Sequence, residues 1–128
     1  MVLDSSAVVA ILLEEPEASR MADALAGATD RAISTANLLE AAMVLFSRKG
    51  TTISAIEAEL AAWGVEIVPV SLTQARLAAE AFTRFGRGRH PARLNYGDCF
   101  AYALARDRNE PLLFKGDDFA KTDVMPAA

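Results

Sequence analysis

Apolar residues follow two alternating patterns along the chain. Short continuous apolar runs predict buried strands, and they cover Met1–Asp4, Arg31–Ser34, Val65–Val70, Pro111–Phe114 and Thr122–Met125. Stretches with apolar residues three or four positions apart predict amphipathic helices, and they cover Ala7–Leu13, Glu17–Leu25, Ala36–Arg48, Ser54–Trp63, Leu72–Phe85 and Tyr96–Arg108. Strands that alternate with helices predict an α/β fold, with a central parallel sheet of about four or five strands flanked by helices on both faces.

Residues that cap or stop helices lie between these segments. Ser5-Ser6 and Asn95 can cap the helices that follow them, and Pro16, Gly27 and Gly50 stand where helices are expected to end. No linker, internal repeat or low-complexity stretch interrupts the pattern. We therefore expect residues 1–128 to form one domain.

The composition narrows the functional classes. Of 128 residues, 52% are hydrophobic and the formal net charge is −4, which argues against disorder and against a globally basic nucleic-acid binder. One Cys excludes a disulfide framework and favours a reducing, cytoplasmic location, and one His excludes cleavage by a histidine pair. No apolar run reaches the roughly 20 residues of a membrane span, and the first residues do not resemble a signal peptide.

Acidic residues fall where predicted strands end or where the following helices begin. Asp4 ends the first strand, Glu40 lies early in the helix after the second, Asp98 lies in the first turn of the helix before the fourth, and Asp117-Asp118 follow the fourth. Ligands bind beyond the carboxyl ends of the strands in an open α/β sheet. We expect these carboxylates to converge at that edge.

Two of these acids have apolar neighbours. Glu40 lies within LLEAAMVLF and Asp98 precedes CFAYAL, with no basic residue within a helical turn of Glu40 and none between Arg93 and Arg106. An ionised carboxylate in such surroundings destabilises the fold unless it is paired, and clustered carboxylates repel each other. A hard divalent cation, Mg²⁺ or Mn²⁺, is the natural partner.

Each acid also has a purely structural interpretation. Asp98 can form a capping box with Asn95, Asp4 can cap the first helix, Glu40 can face solvent, and one of Asp117 and Asp118 can serve the turn. These alternatives stay open for each residue alone. Four independent coincidences at one sheet edge are harder to accept, so the joint pattern favours a metal site.

A basic stretch precedes the last helix. Arg84, Arg87, Arg89, His90 and Arg93 lie within ten residues that contain no acid. Arginines near an acidic metal site are suited to a phosphodiester substrate, although a solvated loop is an alternative. Four of the 17 acids are candidate ligands, and the other 13 balance the 13 bases, so the net charge does not exclude RNA.

At this level of detail the chain resembles a known family, the PIN-domain ribonucleases of the VapC toxin type. The resemblance covers essentially the whole chain and rests on VLDSSAVVAILLEEPEA, STANLLEAAMVL, GRHPARLNYGDCFAYALA and PLLFKGDDFAKTDV. It implies RNA cleavage that depends on Mg²⁺ or Mn²⁺, a homodimer, and a VapB-type antitoxin that blocks the site. It also implies that the toxin–antitoxin complex binds operator DNA through the antitoxin.

The family's acidic residues map onto Asp4, Glu40 and Asp98, and its fourth falls in the Gly116–Phe119 turn. An acid directly before the Phe points to Asp118, with Asp117 as its neighbour or substitute. We expect Asp4 and Asp98 to bind the metal directly and the other acids to complete the site directly or through water. The metal would activate water for attack on phosphorus.

The arginines Arg87, Arg89 and Arg93 are the candidates for binding RNA phosphates.

Two other functional classes are alternatives to a ribonuclease. A catalytically inactive module that sequesters an antitoxin or RNA is the main alternative. An aspartyl-phosphate protein fits poorly, because Asp4 is followed by two serines and the Val68–Ser71 stretch lacks a phospho-acceptor Asp.

Overall fold

The computed structural model describes residues 1–128 and contains a sheet of four parallel strands, as predicted. Each strand is only two or three residues long. The strands lie in the order β3-β2-β1-β4, and their bounds are β1 Val2–Leu3, β2 Ala32–Ser34, β3 Glu66–Val68 and β4 Leu112–Leu113. The two central strands, β1 and β2, therefore carry the site residues that follow them to the middle of the sheet edge.

All six predicted helices are present, with ends within two residues of the predicted ones. Their bounds are α1 Ser5–Leu12, α2 Ala18–Gly27, α3 Thr35–Lys49, α4 Ile53–Ala62, α5 Leu72–Phe85 and α6 Tyr96–Arg108. At the start of α3, α4 and α5, the side-chain hydroxyls of Ser34, Thr52 and Ser71 accept backbone N–H groups. Gly50 ends α3 in the left-handed conformation, at φ 68°, which glycine adopts without strain.

The sheet separates two apolar layers, because successive strand residues point to opposite faces. Val2, Ala32 and Leu112 pack with residues of α5 and α6, whereas Leu3 and Ile33 pack with residues of α1 to α4. Helix α6 is buried along Ala101–Ala105, and this places its N-terminal turn against the edge of the sheet. No helix combines the length and the apolar character that a membrane crossing requires.

Two strand predictions need correction. The stretch Val65–Val70 is predicted to be a buried strand, but β3 covers only Glu66–Val68 at the edge of the sheet, with Glu66 exposed and Ile67 half-buried. The predicted last strand, Thr122–Met125, is wrong. A 3₁₀ turn at Phe119–Lys121 comes first, Thr122 bonds locally to Phe119 and Val124, and only an isolated bridge joins Leu112 to Pro126. Local side-chain hydrogen bonds of this kind compete with strand pairing.

Candidate active site

Asp4 follows β1 directly and caps α1, so the prediction that Ser5-Ser6 cap this helix is wrong: both serines lie within its first turn. Its Oδ2 accepts the backbone N–H of Ser6 at 3.0 Å, so the capping interpretation of this residue is confirmed. Its side chain is only 3% exposed, and Oδ1 is buried with no hydrogen-bond partner. Buried carboxylate oxygens are normally paired. One oxygen of Asp4 thus has a structural role and the other is left without a partner.

Glu40 lies in the second turn of α3 and is directed toward the start of α1. Its Oε1 accepts the hydroxyl of Ser5 at 2.5 Å and the amide of Asn37 at 3.2 Å. The side chain is half-buried, so the alternative in which it faces solvent is wrong. Two protein donors hold one carboxylate oxygen, and Oε2 makes no hydrogen bond.

Asp98 forms the capping box that the sequence allows. Its Oδ2 accepts the backbone N–H of Asn95 at 3.0 Å, and Asn95 Oδ1 accepts the N–H of Asp98 at 2.9 Å. Its other oxygen makes no hydrogen bond. The charges of Glu40 and Asp118 both act on its carboxyl group, so the capping residue also belongs to the acidic cluster.

The turn after β4 contributes the fourth acid. Asp118 is half-buried, and its charge reaches Asp98, whereas Asp117 is exposed. Asp118 directly precedes Phe119, which is buried in the core. This anchoring Phe holds Asp118 at the edge of the sheet, which makes Asp118 the better candidate of the two.

The electrostatics of the cluster are those of acids without a counter-charge. Burial raises the pKa of Asp4 to about 7, and the charges of Asp98 and Glu40 add to the effect of burial. Burial likewise raises the pKa of Asp98 to about 6, with Glu40 and Asp118 adding to it. No basic side chain forms an ion pair with any of these four acids. The cluster therefore repels itself in the absence of a cation.

The donor set fits a hard divalent cation. The partnerless Oδ1 of Asp4 lies among oxygen donors that carry negative charge, and Mg²⁺ and Mn²⁺ prefer such ligands. No three Asp, Glu, His or Cys side chains converge closely enough to form a finished metal cage. Like charges repel each other unless a cation lies between them, so a bound cation would favour a closer approach of these acids.

The basic segment forms a loop from Gly86 to Arg93 that leads directly into α6. A bridge between Gly86 and Leu94 closes the base of the loop, and Arg87, Arg89 and Arg93 are exposed and form no ion pair. Arg84 differs, because it lies at the end of α5 and pairs with Asp123 at 3.4 Å. Three arginines are thus available for a ligand near the N-terminus of α6.

Three neighbours of the acids were not identified from the sequence: Ser5, Asn37 and Gly97. Ser5 and Asn37 donate to Glu40, and a Cβ at Gly97 would overlap the Glu40 carboxylate. The spacing of three residues between Asn37 and Glu40 places them on one helix face. That spacing is the only feature of the sequence that could have pointed to Asn37.

The chain is similar to known proteins along nearly its whole length. A model of the PIN domain family matches residues 1–125. Ribonuclease VapC28 of Mycobacterium tuberculosis is 50% identical over 129 residues, which cover 99% of this chain and 97% of that protein. Ribonuclease VapC of Mycolicibacterium smegmatis is 48% identical over 128 residues, which cover 97% of each.

Solved structures share the fold. Mycobacterium tuberculosis VapC20, a Sarcin-Ricin loop cleaving toxin, matches with a TM-score of 0.75 at 17% identity and covers 97% of this chain and 95% of its own. A chain of a toxin–antitoxin complex from Klebsiella pneumoniae matches with a TM-score of 0.70 at 16% identity and covers 95% of this chain and 92% of its own. Both likenesses support the single α/β domain described above.

Proposed function

Because the chain belongs to the PIN domain family, we propose that it is an endoribonuclease toxin of the VapC type. It hydrolyses RNA phosphodiester bonds with a divalent cation, Mg²⁺ or Mn²⁺, at the acidic edge of the sheet. The ribonucleases that resemble it along almost their whole length support this reaction class. RNA as a substrate and a single reduced Cys agree with a cytoplasmic protein.

The observation that carries the proposal is the partnerless oxygen of Asp4. A carboxylate that is 3% exposed, with one oxygen unpaired and other acids around it, destabilises the fold at neutral pH. A bound cation would remove this instability, because it would pair with the free oxygen of Asp4 and offset the repulsion between the acids.

The acids divide by their surroundings. Burial raises the pKa of Asp4 and of Asp98, and each keeps one oxygen free of protein donors, so they are the principal direct ligands. Glu40, held by Ser5 and Asn37, and Asp118 complete the site directly or through water. When bound, the metal supplies Lewis-acid activation of water and stabilises charge on the leaving oxygen.

The arginine loop binds the substrate in this proposal. Arg87, Arg89 and Arg93 are exposed, form no ion pair and lie just before the helix that bears Asp98. The Arg89 guanidinium lies 5.8 Å from the ring centre of Phe82. Guanidinium groups bind phosphate oxygens in a bidentate manner. They hold the phosphates that flank the bond to be cut. Phosphate binding therefore does not require a basic residue within the acidic cluster.

The proposed partners follow from family membership. They are an RNA substrate, a VapB-type antitoxin, a second copy of the chain in a homodimer, and operator DNA bound only through the antitoxin. A structural neighbour that is part of a toxin–antitoxin complex supports the antitoxin.

The test is RNA cleavage by the purified full chain, free of any partner, on a mixed end-labelled RNA pool with Mg²⁺, Mn²⁺ or EDTA. Asp98→Asn keeps an acceptor for the Asn95 N–H and removes the charge, and Asp23→Asn changes an exposed acid of α2 as its control. We expect cleavage that needs metal, is lost in Asp98→Asn and persists in Asp23→Asn.

Cleavage at the wild-type rate by Asp98→Asn would remove Asp98 from the mechanism. RNA or antitoxin binding without cleavage, unaffected by EDTA and by Asp98→Asn, would instead identify a catalytically inactive binding module.

A further inference from the structure

Glu40 is anchored by two elements of the fold. Ser5, at the start of α1, donates to Oε1 at 2.5 Å, and Asn37, one turn earlier in α3, donates to the same atom at 3.2 Å. Asn37 is completely buried. Its amide thus engages the carboxylate from within the protein and not from solvent.

The same amide also ties α3 to α6. Asn37 Nδ2 donates to the backbone carbonyl of Gly97 at 3.0 Å, and Gly97 immediately precedes Asp98. The Glu40 carboxylate lies against Gly97 so closely that a Cβ there would overlap Oε2. One buried side chain therefore links the position of Glu40 to the backbone that carries Asp98.

Charge repulsion acts against this arrangement. Glu40 and Asp98 interact unfavourably, and without a tie the flexible Glu40 side chain would move away from Asp98. We propose that Asn37 is a positioning residue, which holds Glu40 against Gly97 and so sets the separation of Glu40 and Asp98 for the bound cation. This inference rests on the function proposed above.

A purely structural role explains Asn37 less well. Its Oδ1 is buried and has no partner, and an unpaired buried carbonyl oxygen destabilises a protein. An apolar residue here would leave no unpaired side-chain oxygen, but it would also release Glu40 and the Gly97 carbonyl, the two groups to which the Asn37 amide donates. Residues that orient metal ligands from behind commonly change metal affinity or activity by about 10- to 100-fold when they are replaced.

The experiment compares Asn37→Leu with a matched control, Gln74→Leu. Gln74 is also a buried amide, 5% exposed, but it donates to Asp107 at 3.3 Å on α6 and contacts none of the four acids. Both variants lose a buried amide, so both are expected to lose stability. Only Asn37→Leu is expected to change the acidic site.

Three measurements on the full chain follow. Titration with Mn²⁺, read by electron paramagnetic resonance, is expected to show a Kd about tenfold higher for Asn37→Leu and unchanged for Gln74→Leu. The kcat of RNA cleavage is expected to fall about tenfold or more, with KM for RNA within twofold of the wild type. Crystal structures of the metal-free proteins are expected to show the Glu40 carboxylate of Asn37→Leu displaced by about 1 Å, beyond the roughly 0.5 Å tolerance of an organised site.

An Asn37→Leu protein with the wild-type Mn²⁺ affinity, the wild-type kcat and an unmoved Glu40 would overturn the inference. A wild type that neither binds Mn²⁺ nor cleaves RNA would refute the proposed function instead. Even then, the metal-free structures would decide whether Asn37 holds Glu40 in place.

Discussion

Replacing Asp4 with asparagine tests the electrostatic state of the site without disturbing its shape. The side chain keeps its size, and the asparagine oxygen can still accept the N–H of Ser6. What changes is the charge. Burial, together with the charges of Asp98 and Glu40, raises the pKa of Asp4 from its ordinary value of 3.8 to about 7.

The direction of the pH dependence of stability depends on whether the folded or the unfolded protein binds the Asp4 proton more tightly. Between pH 3.8 and about 7 the folded protein keeps the Asp4 proton while the unfolded chain has lost it. The stability that this proton contributes is fully present below pH 3.8 and is lost as the pH rises toward 7. The difference between the unfolded and folded pKa values of Asp4 corresponds to about 4 kcal/mol of folding stability. At pH 5, about 2 kcal/mol of this is already lost.

The assay is urea unfolding of the metal-free protein in EDTA, followed by circular dichroism at pH 5 and pH 8. Asp4→Asn is neutral at both values, so its advantage over the wild type is expected to grow from about 2 kcal/mol to as much as 4 kcal/mol. Asp23→Asn, at an exposed position of α2, is expected to follow the wild-type profile. Added Mg²⁺ is expected to stabilise the wild type at pH 8 and not the variant.

An Asp4→Asn protein that is no more stable than the wild type at pH 8 in EDTA would refute the reasoning. So would an advantage that does not change between pH 5 and pH 8. Either result would mean that ionised Asp4 does not destabilise the metal-free fold, and therefore that burial does not raise its pKa.

The remaining predictions concern three parts of the chain. Gly97→Ala is expected to displace Glu40 and to lower kcat by about 100-fold in single-turnover RNA cleavage. Cleavage at the wild-type rate would mean that Glu40 can move without loss of activity. Arg89→Ala is expected to weaken RNA binding and to reduce the slope of log affinity against log salt concentration by about one, while titration shows an unchanged Mn²⁺ affinity. Loss of Mn²⁺ affinity would contradict the proposal that the acids bind the metal and the arginines bind the RNA. Tyr102→Phe removes a 2.7 Å hydrogen bond to Asp123 and is expected to lower the free energy of unfolding in urea by about 1 kcal/mol without changing RNA cleavage. Loss of activity would contradict a purely structural role for Tyr102.

The sequence predicts most of the fold because its signals are local. Apolar spacing and a capping residue such as Asn95 define the helices independently of the rest of the chain. The Thr122–Met125 stretch shows where this fails. Its β-branched residues favour a strand, but the hydrogen bonds of Thr122 to its own neighbours prevent one.

The acids could be placed at one edge because strand ends share an edge in a parallel sheet. Their supporting residues could not. Asn37 is one polar residue on an apolar helix, and its partners, Glu40 and Gly97, meet only when α3 packs against α6. The importance of Gly97 likewise depends on the close approach of Glu40, which no local pattern encodes.

The structural and functional interpretations of the acids turn out to be compatible, because a carboxylate has two oxygens. In Asp4 and in Asp98, one oxygen caps a helix and the other makes no hydrogen bond. The cap fixes the direction of the second oxygen, so the local rules that begin α1 and α6 also organise the site. Asp98→Ala should therefore be about 1 kcal/mol less stable than Asp98→Asn, although neither should cleave RNA. Urea unfolding of both variants in EDTA separates the capping contribution from the catalytic one, and equal stability would mean that the cap does not orient Asp98.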